Sequence, residues 1–121
     1  MTVARRDSGD KQQIASSGAA GVVAQLLDEV QASLFASARD ELERRTLRDP
    51  SGYDEMVEYL RAAGGFVATA WCGHAECEAR VKDDASATIR CLPLDAEPAD
   101  AGACVCCGRR AVTPAVWAQA Y

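Results

Sequence analysis

The most regular pattern of apolar and polar positions in the chain lies between Val22 and about Arg48. Apolar residues recur there every three or four positions, which is the spacing of one face of an amphipathic helix. A helix of this length would span about 40 Å at about 1.5 Å per residue. That is more than a small domain can cover, which favours a connector between two domains. An ordinary packing helix with a solvated outer face is an equally open interpretation. The apolar positions are Val22, Val23, Leu26, Leu27, Val30, Leu34, Phe35, Ala38 and Leu42.

The residues that precede this helix predict a short hairpin. The turn signal Asp-Ser-Gly-Asp at residues 7–10 lies between two short, polar, strand-like flanks. A break at residues 16–18 then separates these flanks from the helix. We interpret this segment as a hairpin remnant or as the edge of a further domain.

On the C-terminal side of the helix, helical and strand-like patterns alternate. Pro50 ends the long helix because it lacks a backbone donor and disfavours helix at Asp49. Length and periodicity then predict two short helices and three strands. These are a helix that ends at Gly64 and Gly65, a buried strand over residues 66–71, a helix over 75–84, a strand over 87–92 and a strand-like segment over 111–117.

The last two strand-like segments carry specific expectations for two residues. Alternation over residues 87–92 places Cys91 on the same face as Ala87 and Ile89. A free cysteine packs as a small hydrophobic residue, so we expect Cys91 to be buried. Pro114 interrupts the final segment and cannot donate to a ladder, which predicts an edge strand there.

Composition limits the size and the partners of the protein. With 121 residues the chain holds at most one domain plus an appendage. Only 6% of the residues are aromatic, so the core consists of small side chains, and a bound metal would supply a large share of the stability. The formal net charge of −5 argues against a stand-alone nucleic-acid binder, because phosphate neutralisation needs a basic surface.

Two absences in the sequence bear on location. The sequence contains no run of about 18 apolar residues, which a transmembrane helix would require. It also contains no apolar segment after Met1 of the kind that marks a secretory signal. We therefore expect a cytoplasmic protein without a membrane partner.

All six cysteines lie within residues 71–109. Cys72 and Cys77 form a C-x4-C pair, and Cys104 and Cys107 form a C-x2-C pair. Each pair can supply two thiolates from one tight turn, and the insert between the pairs allows the turns to meet, as a tetrahedral Zn²⁺ site requires. A glycine beside each pair, Gly73 and Gly108, lets backbone N–H groups point at sulfur. The spacing therefore predicts a zinc site.

Other interpretations of these residues remain open at this point. Cys106 is an alternative to Cys107 as a candidate metal ligand, although Gly108 favours Cys107 as the fourth ligand. His74 is the only histidine and could complete a site, but a solvent-facing position in the turn is the expectation. Disulfides are disfavoured without an oxidising compartment, and a redox role for Cys104 and Cys107 is a weaker alternative.

The sequence contains no recognisable active site. Four sulfur ligands close the metal shell, whereas a catalytic zinc keeps a position open for water. Neither a glycine-rich phosphate loop nor a paired-carboxylate motif is present. We therefore assign no catalytic residue within this chain.

From Gly64 onward the chain resembles one family. The segments GGFVATAWCGHAECEARVK (64–82), ATIRCLPLD (87–95), CVCCG (104–108) and AQAY (118–121) resemble the C-terminal zinc-binding domain of prolyl-tRNA synthetase in its archaeal/eukaryotic-like form. Upstream, ARRDSGDK (4–11) resembles the last hairpin of that enzyme's anticodon-binding domain. The long helix with Leu34 and Phe35 resembles the connector between the two.

The resemblance implies a fold, a division of the chain and a set of functional residues. The fold is α/β (α+β): a two-layer βαβαββ domain with a zinc knuckle, preceded by a long connector helix. Residues 1–20 would be a remnant of the anticodon-binding domain, residues 21–48 the connector helix and residues 49–121 the zinc-binding domain. The four ligands would be Cys72, Cys77, Cys104 and Cys107, and the carboxylate of Tyr121 would be directed at the aminoacylation site.

The resemblance also implies a function for the longer protein. The intact enzyme would ligate proline to tRNA(Pro) with ATP, and its partners would be tRNA(Pro), its own catalytic and anticodon-binding domains, and a second subunit in a homodimer. The class II core that binds ATP and proline has no counterpart in this sequence, so we expect the chain alone to be inactive and its zinc to be structural. The alternative function is a stand-alone zinc-ribbon-like module that binds protein or RNA through Trp71, Trp117, Arg109 and Arg110.

Overall fold

The computed structural model of the chain describes residues 1–95 and 102–119. The chain divides into two compact units, Met1–Glu43 and Arg44–Tyr121. Among the described residues, no helix combines the length and the apolar character that crossing a membrane would require.

The first unit begins with the predicted hairpin, which is confirmed. Strands β1 (Thr2–Ala4) and β2 (Lys11–Gln13) pair antiparallel. The turn between them closes through a hydrogen bond of 2.7 Å from the backbone N–H of Arg5 to the carbonyl oxygen of Asp10. Gly9 adopts a φ of 80°, which is a conformation that side chains rarely adopt and which explains the glycine in the turn signal. A single 3₁₀ turn, Ser16–Gly18, leads into the long helix.

Helix α1 covers Ala19–Arg44 and is shorter at its C-terminal end than predicted. The prediction of a connector helix over residues 21–48 is wrong for residues 46–48, which form strand β3 (Thr46–Arg48). The helix stops because the backbone after it pairs with another strand. The N–H of Phe66 donates to the carbonyl oxygen of Arg45 at 2.7 Å, and the N–H of Asp49 donates to the carbonyl oxygen of Ala68 at 3.0 Å. Non-local pairing of this kind overrides the local helical pattern.

The second unit contains a four-stranded sheet and two helices. After β3 come helix α2 (Tyr53–Ala63), strand β4 (Phe66–Trp71), helix α3 (Ala75–Ala85), strand β5 (Ala87–Cys91) and strand β6 (Thr113–Gln119). The strand order in the sheet is β3-β4-β6-β5, with β3 and β4 parallel and the other two pairs antiparallel. The chain order is therefore βαβαββ, and the predicted α+β fold is confirmed.

The core lies between the two helices and one face of the sheet. Trp117 of β6 is at its centre, opposite Val67 of β4 and Ile89 of β5. Packing of both helices against this face produces the two-layer arrangement. The fully or almost fully buried members are Met56 and Leu60 from α2, Val81 and Ala85 from α3, and Val67, Ala87, Ala115 and Trp117 from the sheet.

The prediction that Pro114 marks an edge strand is wrong, because β6 lies between β4 and β5. Pro114 pairs with Ala70 of β4, whereas β5 pairs with β6 only from Val116 to Gln119. Pro114 therefore lies beyond the end of β5 and has a strand on one side only. A missing N–H costs little at such a position, which is why the proline is compatible with an interior strand.

Candidate metal centre

The two predicted cysteine pairs lie at neighbouring points of the second unit. Cys72 follows the last residue of β4, and Cys77 lies in the first turn of α3. Cys104 and Cys107 belong to a loop that is closed by an isolated antiparallel β-bridge between Ala103 and Arg110. The chain thus presents one pair from a strand-to-helix turn and the other from a closed loop.

Hydrogen bonds fix the shape of this loop and its place beside β4. The N–H of Cys104 donates to the carbonyl oxygen of Arg109 at 2.8 Å. The N–H of Gly108 donates to the carbonyl oxygen of Cys104, also at 2.8 Å. The N–H of Val112 donates to the carbonyl oxygen of Trp71 at 2.9 Å. The loop is therefore attached to the residue that precedes Cys72, which brings the two pairs face to face.

The four sulfur atoms converge on one point. The Sγ atoms of Cys72 and Cys77 are 3.6 Å apart, those of Cys72 and Cys107 are 3.7 Å apart, and all four, including that of Cys104, lie within 4.8 Å of one another. Ligands at about 2.3 Å from a tetrahedral centre would be separated by about 3.8 Å. The four cysteines could therefore hold a metal ion, and the distances are compatible with zinc. They are too long for a disulfide, whose S–S bond is about 2.05 Å.

The glycine beside each pair has the conformation that the sequence predicts. Gly73 has a φ of 80° and Gly108 a φ of 71°. These turns direct the N–H of His74 at the sulfur of Cys72 and the N–H of Arg109 at the sulfur of Cys107. The second of these hydrogen bonds is the main reason why the pKa of Cys107 is lowered to about 7. N–H groups that point at sulfur stabilise the thiolate, which is the form that binds a metal.

Burial acts in the opposite direction on the other side of the site. Cys72, Cys77 and Cys104 are buried, whereas Cys107 is exposed. Desolvation raises the pKa of the Cys72 and Cys77 thiols. Binding of a cation would have to displace protons from these buried thiols, so occupancy should depend on pH.

The remaining cysteines and the histidine lie outside this group. Cys91 is exposed, so the prediction of a buried Cys91 is wrong; the register of β5 shifts between Ile89 and Cys91, and this irregularity breaks the alternation on which the prediction depended. Cys106 is half-buried with its sulfur 3.8 Å from the carbonyl oxygen of Cys77, and it is not among the converging thiols. His74 is exposed in the turn before α3, as expected.

The structure does not support the contact surface of the alternative binding module. Trp117 is 1% exposed in the core, and Trp71 is half-buried with its ring edge-on to that of Trp117, at a centroid distance of 6.5 Å. A side chain at the centre of the core cannot contact a partner. The other predicted functional residue, Tyr121, lies outside the described residues.

Comparison with known proteins gives consistent results. The family model described as "Prolyl-tRNA synthetase, C-terminal" matches residues 53–121. The chain is 36% identical over 123 residues to a proline–tRNA ligase of Oceanobacillus iheyensis, covering 100% of this chain and 25% of the relative. It is 39% identical over 119 residues to proline–tRNA ligase 2 of Clostridioides difficile, covering 98% of this chain and 24% of the relative. The chain therefore spans about a quarter of the length of the curated relatives it matches.

Proposed function

Because this chain belongs to the family of prolyl-tRNA synthetase C-terminal domains, we propose that it supplies a zinc-stabilised C-terminal module to a proline–tRNA ligase. The longer protein would activate proline with ATP and transfer it to tRNA(Pro); relatives that are named proline–tRNA ligases support this. This chain would contribute a folded domain and make no bond of its own. ATP would bind in the catalytic part of the longer protein.

The observation that carries the proposal is the convergence of four thiols from two separate turns. Cys72, Cys77, Cys104 and Cys107 lie within 4.8 Å of one another, and a set of four thiolates in tetrahedral arrangement is the preferred environment of a structural Zn²⁺. The metal would hold together two segments that are more than 25 residues apart in the sequence. With four protein ligands there is no open position for a substrate or water, which supports a structural role.

The core of the domain explains why a metal would be needed. Five of the eight residues in the main buried cluster are Met, Leu, Val or Trp, and the other three are alanines. Alanine contributes little buried apolar area, so a core of this size leaves a small margin of stability. Structural zinc contributes on the order of 10–16 kcal/mol in small metal-dependent domains.

Further parts of the proposal concern the longer protein. We propose that residues 1–20 belong to the edge of an anticodon-binding domain, that α1 is the connector, and that the carboxylate of Tyr121 is directed at the aminoacylation site. Partners would be the catalytic and anticodon-binding domains, tRNA(Pro) and a second subunit in a homodimer. The protein would act in the cytoplasm.

Metal analysis with matched cysteine variants tests the zinc site. The purified chain should contain one equivalent of zinc, and a chelator should remove it with loss of structure by circular dichroism. Cys72→Ser and Cys107→Ser should each lower zinc content and melting temperature, since each removes one ligand. Cys91→Ser is the matched control, because Cys91 is exposed and lies outside the group. Parent-like melting of both ligand variants, without metal in the parent, would contradict the proposal.

A separate assay tests the absence of chemistry in this chain. Proline-dependent exchange of pyrophosphate into ATP, measured with the isolated chain, should stay at background, and a full-length relative serves as the positive control. Any exchange above background that survives repurification would show that the chain itself carries catalytic residues.

A further inference from the structure

Helix α3 carries, besides Cys77, a side chain that reaches the loop of the opposite cysteine pair. Arg80 lies three residues after Cys77, and residues three apart are neighbours on a helix surface. Its Nη1 donates a hydrogen bond of 3.2 Å to the carbonyl oxygen of Cys106. One helix therefore supplies both a candidate ligand and a donor to the loop that carries the opposite pair.

Two contacts hold the Arg80 guanidinium in this position. It lies over the ring of Tyr53 on α2, with its central carbon 4.2 Å from the ring centroid. Its Nε is 3.7 Å from the Oδ2 atom of Asp84. The hydroxyl of Tyr53 donates to the same carboxylate oxygen at 2.7 Å. A cation stacked on an aromatic ring and paired with a carboxylate loses much of its side-chain freedom, so its hydrogen bond to the loop costs little further ordering.

The charge of Arg80 also suits its position. Four thiolates and one divalent cation would carry a net charge of about −2, and thiolates of this kind are stabilised by nearby cations and N–H donors. Arg80 is paired on one side with Asp84, and on the other side its Nη1 donates to the carbonyl oxygen of Cys106, which lies between Cys104 and Cys107 in the sequence. The hydrogen bond at this point would hold the loop in its closed form, and the charge, on a side chain that is more than half exposed, would add a solvent-screened interaction with the anionic centre.

From this arrangement we infer that Arg80 is a positioning residue for the metal centre, which connects the loop of residues 104–107 to the helical layer through Cys106. The inference rests on the proposed zinc site. It assigns Arg80 a role in metal affinity beyond its contribution to the packing of α2 and α3.

Competition with a chromophoric chelator measures the affinity of the full chain for Zn²⁺. Arg80→Met keeps a long side chain but removes the charge and the donors. We expect its affinity to be about tenfold lower than that of the parent, at the low end of the range for residues that support metal ligands. Arg80→Lys keeps the charge but cannot both stack and donate as the planar group does, and we expect about a threefold loss.

Arg61→Met is the matched control. The Nε of Arg61 donates at 2.6 Å to the carbonyl oxygen of Asp84, so this arginine also connects α2 with α3, but among the described residues no hydrogen bond or ion pair joins it to the loop. Because folding and metal binding are coupled, its removal should lower the melting temperature and lower zinc affinity less than Arg80→Met does. Equal loss of affinity in Arg61→Met and Arg80→Met would show that only general stability was altered, and would overturn the inference.

Cobalt substitution separates positioning from loss of a ligand. The Co²⁺-loaded parent and the Co²⁺-loaded Arg80→Met variant should show the same thiolate-to-cobalt absorption at saturation, because all four sulfurs remain. A weaker band at saturation would mean that a ligand was lost, which would contradict a positioning role. If Arg80→Met fails to fold, Arg80→Lys decides: parent-like zinc affinity overturns the inference.

The outcomes distinguish this inference from the proposed function. If the parent binds no zinc, the proposed zinc site and the role of Arg80 fail together. If the parent binds one equivalent and Arg80→Met binds it with the same affinity, only the role of Arg80 fails.

Discussion

Tyr53 is the residue at which the structure predicts a dependence of stability on pH. Burial is the main reason why the pKa of its hydroxyl is raised above the ordinary value of 10.0, and the hydrogen bond to Asp84 raises it further. The folded state thus holds this proton more tightly than the unfolded state does. The resulting stability is fully present below about pH 10 and is lost as pH rises above that value.

Replacement of this tyrosine by phenylalanine should change stability in two ways. Tyr53→Phe should lower the free energy of unfolding at neutral pH by about 1 kcal/mol, because one hydrogen bond is lost. Between about pH 9 and pH 11 the variant should lose less stability than the parent, since the group that ionises is absent. Urea unfolding of the zinc-loaded chain at a series of pH values measures both effects. Parallel curves for parent and variant would contradict the prediction.

Single residues also show which features of the site could be predicted from the sequence. The convergence of Cys72, Cys77, Cys104 and Cys107 could be predicted because ligand spacing within a turn is a local property of the chain. The roles of Gly73 and Gly108 could be predicted for the same reason. The contact between Arg80 and the carbonyl oxygen of Cys106 spans 26 positions and depends on how α3 meets the loop, so no local pattern signals it.

At the scale of whole elements, strand β6 organises the core of the second unit. Trp117 of β6 is paired with Val67 of β4 on one side and with Ile89 of β5 on the other. Val67 is in turn paired with Leu47 of β3. Side chains at paired positions lie on the same face, so these four residues form one row across the sheet. The row passes beneath both helices, and Trp117 is its largest member.

Truncation of the central residue of this row should be severely destabilising. Trp117→Ala should lower the free energy of unfolding by about 3–5 kcal/mol, because it removes a fully buried aromatic side chain and leaves a cavity. Urea unfolding of the zinc-loaded chain measures the loss. Leu92→Ala is the control: Leu92 is exposed just after β5, and its change should stay within about 0.5 kcal/mol. Similar losses in the two variants would mean that Trp117 is not the centre of the core.

Elements were predictable in type and order, but their ends and their neighbours were less so. The strand over 66–71 and the helix after Ala75 follow from local periodicity. The end of α1 at Arg44 and the strand over residues 46–48 depend on pairing with β4, which is about 20 positions away. The interior position of β6 likewise depends on where β5 ends, so Pro114 alone was a misleading signal.

At the scale of the whole molecule, the two compact units differ in how their apolar residues are used. Every buried core residue belongs to Arg44–Tyr121. Among the described residues α1 buries none of its side chains, and Leu27, Leu34 and Phe35 are each more than half exposed. An exposed apolar stripe of this kind is typical of an interaction surface. It fits the proposal that α1 connects parts of a longer protein; the chain spans about a quarter of the length of the relatives it matches.

The division into units predicts the behaviour of a shortened chain. Residues 44–121 contain both helices and all four strands of the larger sheet, and they contain the four converging cysteines. Expressed alone, this segment should bind one equivalent of zinc with the affinity of the full chain, because every proposed ligand and every residue of the core is retained. Metal analysis, chelator competition and circular dichroism on both chains test this. As a control, Cys77→Ser in the shortened chain should abolish binding. A shortened chain that stays unfolded with excess zinc would show that residues 1–43 are required for the fold of the second unit.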